Sequence, residues 1–184
     1  MPKKQLLFLI ITAVLVTLTT RLVQAEDSYE PRSGFYIGLG GALGYEANAI
    51  QRVGGGGIGQ LGYRFSDQFA LHLESGGYFT SRAGVNYTFI PVTPTLLYFI
   101  VDGLYAYSGF GYEMMRVTSG ASFGAVGMPG TTYYSGFTVD SGIGYEFWMG
   151  EQFTLAPQFG LNYAHIADGD LYTPLFRATV QYHF

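Results

Sequence analysis

The residues of this sequence that could do chemistry are charged and polar side chains at every second position of otherwise apolar segments. His72 and Glu74 form the closest pair, with one residue between them. Side chains two apart on a strand point to the same face, so Glu74 could orient the His72 imidazole as a base. The alternation puts Ser75 on the opposite face, and no Ser or Cys nucleophile lies beside the pair. We therefore favour a structural role for the pair over catalysis.

The same placement predicts a larger set of ionisable residues on one interior face: Arg64, His72, Glu74, Glu113, Asp140, Glu146 and Arg177. Neutral polar residues alternate with the same period at Gln60, Gln158, Asn162 and Gln181. Opposite charges in a confined interior should pair, because an uncompensated buried charge is strongly disfavoured. The expected partners of the two arginines, Arg64 and Arg177, are Glu74, Glu113 or Asp140.

A weaker candidate site lies near the C-terminus, where His165, Asp168 and Asp170 could form a metal or base site. An ordinary polar loop explains these residues better, and we predict no metal site and no cofactor. The chain has no Cys, which excludes thiolate chemistry and a disulfide framework.

Strands must position these residues, because from Gly34 onward the apolar residues recur with a period of two and no window shows helical spacing. The pattern predicts one all-β domain with strands at about 34–45, 56–65, 69–79, 87–100, 104–115, 132–147, 153–163 and 172–184. Tight turns are expected at 66–68, 101–103 and 148–152, and longer loops at 46–55, 80–86, 116–131 and 164–171.

The first 25 residues form a separate segment. Lys3 and Lys4 precede an apolar run from residue 6 to residue 18, and small residues flank Gln24 where a signal peptidase reads the chain. This predicts a cleaved signal peptide at 1–25, a short periplasmic leader at 26–33 and a barrel domain at 34–184.

The composition has fewer charged residues than the surface of a soluble domain needs. Only 12% of the residues are charged, against roughly 25% in an ordinary soluble domain. After residue 25 the chain keeps six Arg, no Lys and thirteen acids, for a net charge of 6 − 13 = −7. This balance excludes the basic footprint of a nucleic-acid-binding protein.

Two all-β architectures could produce this alternation. In a soluble barrel the apolar face fills the core, and the other face would have to keep the protein in water with Gly, Ser, Thr and scattered charges. In a membrane barrel the apolar face meets lipid and the sparse polar face fills the lumen. The strand lengths suit a tilted crossing of about 9–11 residues, and aromatic residues cluster near the strand ends as interfacial girdles do. We therefore predict a closed eight-stranded antiparallel transmembrane β-barrel with up-and-down meander topology.

The C-terminal segment FRATVQYHF carries a family resemblance. Together with the predicted signal peptide and the Gly-rich alternation, it resembles the small outer-membrane barrels of Gram-negative bacteria, of the opacity-protein and outer-membrane-protein-A transmembrane type. The resemblance implies a cell-envelope location in the outer membrane and contact with outer-membrane lipid and lipopolysaccharide. It also implies a recognition signal for the barrel-assembly machinery, at Phe176, Val180, Tyr182 and Phe184.

Three functions remain open at this point. A non-enzymatic barrel with a structural or surface-interaction role, its lumen plugged by the charged set, is favoured because eight strands leave little room for water. The alternatives are a narrow channel or small-solute transporter lined by the same groups and, less favoured, a lipid A modifying enzyme. Against the enzyme, the deacylases of this kind use a His and a Ser two positions apart, and no His of this chain has that neighbour.

Overall fold

The computed structural model describes residues 33–119, 130–167 and 169–184. The predicted signal peptide and all but Ser33 of the predicted leader lie outside the described residues, so both stay predictions. In the parts of the chain that are described, no helix is long and apolar enough to cross a membrane.

The described chain is built of long antiparallel strands. Their bounds are β1 Gly34–Glu46, β2 Arg52–Arg64, β3 Phe69–Arg82, β4 Val85–Val101, β5 Leu104–Ser119, β6 Thr131–Tyr145, β7 Phe147–Trp148, β8 Phe153–Ile166 and β9 Gly169–His183. The short β7 continues β6 after Glu146, and both pair with β8. The two segments therefore make one strand of an eight-stranded sheet.

The sheet closes on itself. Each strand pairs with its neighbour in sequence, and β1 pairs with β9 from Tyr36 opposite His183 to Gly44 opposite Leu175. Closure leaves no free edge, as a sheet in lipid requires. The predicted eight-stranded antiparallel meander barrel is confirmed.

The barrel has two distinct ends. The terminal end carries Gly34, Phe184 and the connections 65–68, 102–103 and 149–152. The distal end carries the connections 47–51 and 83–84, together with the strand ends at Ser119, Thr131, Ile166 and Gly169.

The long loops predicted at 46–55, 80–86, 116–131 and 164–171 are all too long, because strand pairing continues into each of them at the distal end. Arg82 pairs with Val85 around a two-residue turn in which Ala83 and Gly84 have φ angles of 51° and 79°. Two consecutive positive φ angles define the type I′ turn that matches strand twist. Alanine rarely adopts this conformation, so the sequence did not reveal the turn.

The outer face is the apolar one. Ile37 is 46% exposed, whereas its neighbour in β1, Tyr36, is 1% exposed. Apolar side chains point outward on the other strands as well. Exposed examples around the barrel are Phe35, Leu61, Phe110, Ile143 and Phe159. An outward apolar band over a polar interior is the pattern of a membrane barrel.

One seam of the barrel is incompletely paired. The pairing of β3 with β4 stops at Ser75 opposite Val92 and resumes at Tyr78 opposite Phe89. Pro91 lies in this gap, and proline has no N–H to donate to a ladder. The gap matters because it borders a cavity inside the barrel, described below.

Candidate functional site

The candidate site is the polar interior. All seven ionisable residues predicted to face inward are buried, as are the four neutral polar residues predicted beside them. Five of the ionisable residues form two centres, one near the terminal end and one near the middle of the barrel.

The terminal centre is a single ion pair. Arg64 Nη2 lies 2.6 Å from Glu146 Oε2, and both side chains are 1% exposed. The guanidinium also stacks on Phe99, with Cζ 3.7 Å from the ring centroid. Tyr36 and Tyr105 belong to the same buried aromatic cluster.

This pairing differs from the expectation that Arg64 meets Glu74, Glu113 or Asp140. Arg64 ends β2 and Glu146 follows β6, so both lie at the terminal end although they are far apart in sequence. The backbone N–H of Glu146 donates to the Gly103 carbonyl at 2.9 Å, which anchors the residue at the break between β6 and β7. The alternation pattern predicted that Glu146 faces the interior, but it does not determine how far along the barrel axis the residue lies.

The middle centre joins one arginine to two acids. Arg177 Nε lies 3.5 Å from Glu74 Oε1, and Arg177 Nη2 donates to Asp140 Oδ2. Arg177 Nη1 also donates to the Tyr107 hydroxyl at 3.5 Å. Strands β3, β5, β6 and β9 are thereby linked across the lumen.

Neutral side chains extend this centre toward the terminal end. Gln60 donates to Glu74 at 2.8 Å and accepts from Gln181 at 3.1 Å. Thr154 in turn donates to Gln181 at 3.1 Å. The middle centre is therefore part of a connected hydrogen-bond network and not a set of isolated charges.

Glu113 lies apart from both arginines. It is 5% exposed, and it hydrogen-bonds to the side chains of Thr138 on β6 and Asn162 on β8, which also hydrogen-bond to each other at 2.8 Å. Within the described residues, Glu113 takes part in no ion pair.

A cavity of about 50 Å³ lies between the middle centre and the distal end. This is room for a few water molecules, each of which needs at least about 10–15 Å³ by the same measure. Glu74, Glu113, Asp140, Asn162 and Arg177 line one part of it, and Phe89, Leu171 and Leu175 line another. The cavity also borders the unpaired seam between β3 and β4, where its lining residues are Gly76, Gly77 and Pro91.

The distal end is covered by a small lid formed by residues 46–51. The Glu46 carboxylate accepts the backbone N–H groups of Asn48, Ala49, Ile50 and Gln51, three of them at 3.0–3.1 Å. Ile50 is 4% exposed and packs with Phe89, Ala164, Ile166 and Leu171. The sequence analysis missed this lid, because nothing in its residue types indicates that the loop turns inward.

Arg82 secures the lid from β3. Its Nη1 donates to the carbonyls of Ala49 and Ile50 at 2.9 and 3.0 Å. The Glu46 carboxylate and the Arg82 guanidinium therefore both hydrogen-bond to the backbone of the lid.

The histidines have no catalytic arrangement among the described residues. His72 Nδ1 lies 3.1 Å from the Tyr36 hydroxyl, with both side chains buried. His165 Nδ1 lies 2.8 Å from Asp170 Oδ1 on the exposed distal rim, where Tyr163 also donates to Asp170. Asp168, the third member of that predicted group, lies outside the described residues. Over the described ranges, no three His, Cys, Asp or Glu side chains converge on a metal position.

The predicted assembly residues lie on the outer face of β9. Phe176, Val180 and Phe184 are exposed, Phe184 to 74%, and Tyr182 is half-buried against Phe153 and Phe184. The backbone N–H of Phe184 donates to the Phe35 carbonyl at 3.0 Å, so the last residue takes part in barrel closure.

Solved structures of other barrels are similar to this chain. The Yersinia pestis attachment invasion locus protein Ail, in complex with the heparin analogue sucrose octasulfate, matches with a TM-score of 0.61 at 13% identity, covering 82% of this chain and 100% of Ail. Neisserial surface protein A matches with a TM-score of 0.59 at 17% identity, covering 83% of this chain and 98% of that protein. The fold is that of the small outer-membrane barrels.

The N-terminal β-barrel domain of Pseudomonas aeruginosa OprF is similar to the same extent, with a TM-score of 0.58 at 15% identity, covering 82% of this chain and 100% of that domain. No protein-family model and no curated protein sequence matches the chain. The family resemblance inferred from the sequence is thus confirmed at the level of fold, and identities this low carry no function across.

Proposed function

We propose that this protein is a non-enzymatic outer-membrane barrel with a closed lumen, which acts through its surface in a structural or surface-interaction role. The observation that carries the proposal is the link between Arg177, Glu74 and Asp140 across the middle of the barrel. The ion pair of Arg64 with Glu146 and the lid add two further closures along the same axis.

Energetics favour a plug over an ion path. Separating one partner of a buried ion pair from the other costs about 3–5 kcal/mol. A permeating ion would have to displace such a pair in the middle of the lumen and again near the terminal end. An eight-stranded barrel has an interior just wide enough for side chains, which leaves no parallel route for water.

Location in the outer membrane follows from the outward apolar band together with the fold. Lipid would cover the exposed residues of the band, and the predicted signal peptide would direct export. Contact with outer-membrane lipid and lipopolysaccharide is part of the proposal. Fractionation of cells expressing the full chain should recover it in the outer membrane, with heat-modifiable migration in detergent gels, and recovery as a water-soluble monomer would contradict the proposal.

Planar-bilayer recording tests the closed lumen. Purified wild-type protein should give no steady ion-selective current. Arg177→Ala keeps the pair of Arg64 with Glu146 and the lid, so it should also stay silent, like the matched control Arg116→Ala at an exposed position. A steady selective current from the wild type, or one that appears only in Arg177→Ala, would favour the alternative of a narrow channel or small-solute transporter.

Lipid A mass spectrometry tests the enzyme alternative. Overexpression of the wild type should leave the lipid A spectrum unchanged, since His72 and His165 lack a neighbouring serine nucleophile among the described residues. A new lipid A species that is lost in His72→Gln would overturn the non-enzymatic assignment.

The terminal strand is proposed to act as the assembly signal read by the barrel-assembly machinery. The exposure of Phe184 and its position at the closing seam support this role. Phe184→Ala should lower the yield of inserted barrel in cells, while Phe159→Ala, an exposed aromatic on β8, should lower it much less. Equal yields for the two variants would contradict the proposal.

A further inference from the structure

The cavity beside the middle centre has an unequal balance of charge. Three carboxylates line it, from Glu74, Glu113 and Asp140, together with one guanidinium from Arg177. Arg177 is engaged by Glu74 and Asp140, whereas Glu113 forms no ion pair within the described residues and hydrogen-bonds to the neutral side chains of Thr138 and Asn162. Burying an uncompensated carboxylate is strongly disfavoured, so a compensating positive charge is required or a proton must be bound.

One oxygen in this cavity is left without a partner. Asp140 is 3% exposed, and its Oδ2 accepts from Arg177, but its Oδ1 makes no hydrogen bond with the described residues. A buried carboxylate oxygen without a donor is rare in folded proteins. Because Asp140 and Glu113 line the same space, a single cation between them would satisfy both observations.

We infer that this cavity binds a hard divalent cation of the Ca²⁺ type. Its polar lining offers oxygen donors from Glu113, Asp140 and Asn162, with hydroxyls from Thr93 and Thr173. Carboxylate, amide and hydroxyl oxygens are the ligands of Ca²⁺ and Mg²⁺, whereas Zn²⁺ and copper select imidazole and thiolate.

The ion keeps part of its water. Two carboxylates are fewer ligands than a Ca²⁺ ion takes, and no third acidic side chain converges with them in the described residues. The cavity has space for a few water molecules beside the ion. Ca²⁺ tolerates such mixed and irregular coordination, while its positive charge balances Glu113, with which Arg177 forms no ion pair.

Thermal unfolding of the folded protein in a zwitterionic detergent tests the site. After treatment with a chelator, the wild type should gain stability as Ca²⁺ is added, because a ligand that binds only the folded state raises the melting temperature. Potassium chloride at equal ionic strength should have no such effect. Binding of Tb³⁺, read by tyrosine-sensitised luminescence, should saturate at one ion per barrel and be reversed by Ca²⁺.

Glu113→Gln is the decisive variant, because Glu113 belongs to no ion pair and the barrel should fold without its charge. It should raise the half-saturating Ca²⁺ concentration at least tenfold. Asp140→Asn should weaken binding as well, although it also disturbs the contact with Arg177. Asp170→Asn, which removes an exposed acid at the distal end, is the matched control and should bind like the wild type.

Three results would overturn the inference. These are no Ca²⁺ response in the wild type, an equal response to potassium, and an undiminished response in Glu113→Gln. The first would mean that Glu113 is held protonated instead. The test does not depend on conductance, so it can fail while the closed-barrel proposal stands, and the reverse also holds.

Discussion

The terminal half and the distal half of the lumen are filled in different ways. In the terminal half, one arginine meets one acid, Arg64 with Glu146, and Phe99 covers the guanidinium. In the distal half, the acids outnumber the arginine, and a cavity of about 50 Å³ lies above Arg177. Matched charges can be packed tightly, whereas unmatched charges need room for water or an ion beside them.

The walls of the two halves differ as well. In the terminal half, a Cβ at the inward glycines Gly62 and Gly144 would meet the rings of Tyr36 and Tyr105. Farther along the barrel, added Cβ atoms would lie within 3 Å of neighbouring atoms at Gly40, Gly44, Gly54, Gly56 and Gly76. At four of these five glycines the nearest atom is a backbone oxygen of an adjacent strand, so the strands approach each other closely there. Gly76 also lines the cavity, beside its charged and apolar side chains.

The largest expected effect comes from breaking the middle centre. Arg177→Ala leaves Glu74 and Asp140 without their shared guanidinium and should lower the free energy of unfolding by about 3–5 kcal/mol. Urea unfolding in micelles, followed by the fluorescence of the single tryptophan, measures this. Arg116→Ala, at an exposed position, should change stability by less than about 0.5 kcal/mol, and equal losses would show that Arg177 is not a buried ion-pair partner.

A second test compares adjacent glycines on the two faces of β2. A Cβ at Gly56 would lie 1.7 Å from the Gly77 carbonyl oxygen, whereas one at Gly57 meets nothing nearer than 3.8 Å. Gly56→Ala should therefore cost at least about 1–3 kcal/mol through overpacking, and Gly57→Ala should be nearly neutral. Heat-modifiable gel shifts at increasing temperature would rank them, and a reversed order would mean that the two faces are misassigned.

A smaller effect is expected at the lid. Glu46→Gln removes the charge that holds the N–H groups of residues 48–51 and should destabilise the lid by about 1–2 kcal/mol, since hydrogen bonds to charged groups are the stronger ones. Amide hydrogen exchange should accelerate at Ile50 and Gln51 while the strands stay protected. Asp67→Asn, in an exposed turn of the terminal end, is the control, and unchanged exchange at Ile50 would show that the carboxylate does not hold the lid.

The smallest effect should come from replacing the terminal ion pair as a unit. Arg64→Met combined with Glu146→Leu removes both charges together and should stay within about 1–2 kcal/mol of the wild type, because a buried pair replaced by apolar groups is often neutral. Each single substitution should cost about 3–5 kcal/mol. A double-mutant cycle in urea gives the coupling, and additive losses would contradict a matched pair.

Much of the fold was predictable because the strand period is local. Residues two apart share a face, so His72, Glu74 and Arg177 could be assigned to the interior before their neighbours were known. Closure could also be expected, since a membrane sheet cannot leave an edge unpaired. The distal loops were predicted too long because the turn at Ala83 depends on a φ angle that alanine rarely adopts.

The contacts between the interior residues were harder to predict from the sequence. Alternation indicates which way Arg64 points, but its level along the barrel depends on the register of several strands. That register sets Arg64 beside Glu146. The capping of backbone amides by Glu46 required the path of residues 47–51, which no residue pattern encodes.

The amino-acid sequence encodes the strand period, the closed apolar exterior and the set of residues that face inward. These follow from the alternation of side chains along each strand, a property of neighbours in the chain. The three-dimensional structure was needed to show which acid meets which arginine, that Glu113 lies beside a cavity, and that Ile50 packs on Phe89 and Leu171. Such relations depend on the stagger of strands around the barrel, which brings together residues far apart in sequence.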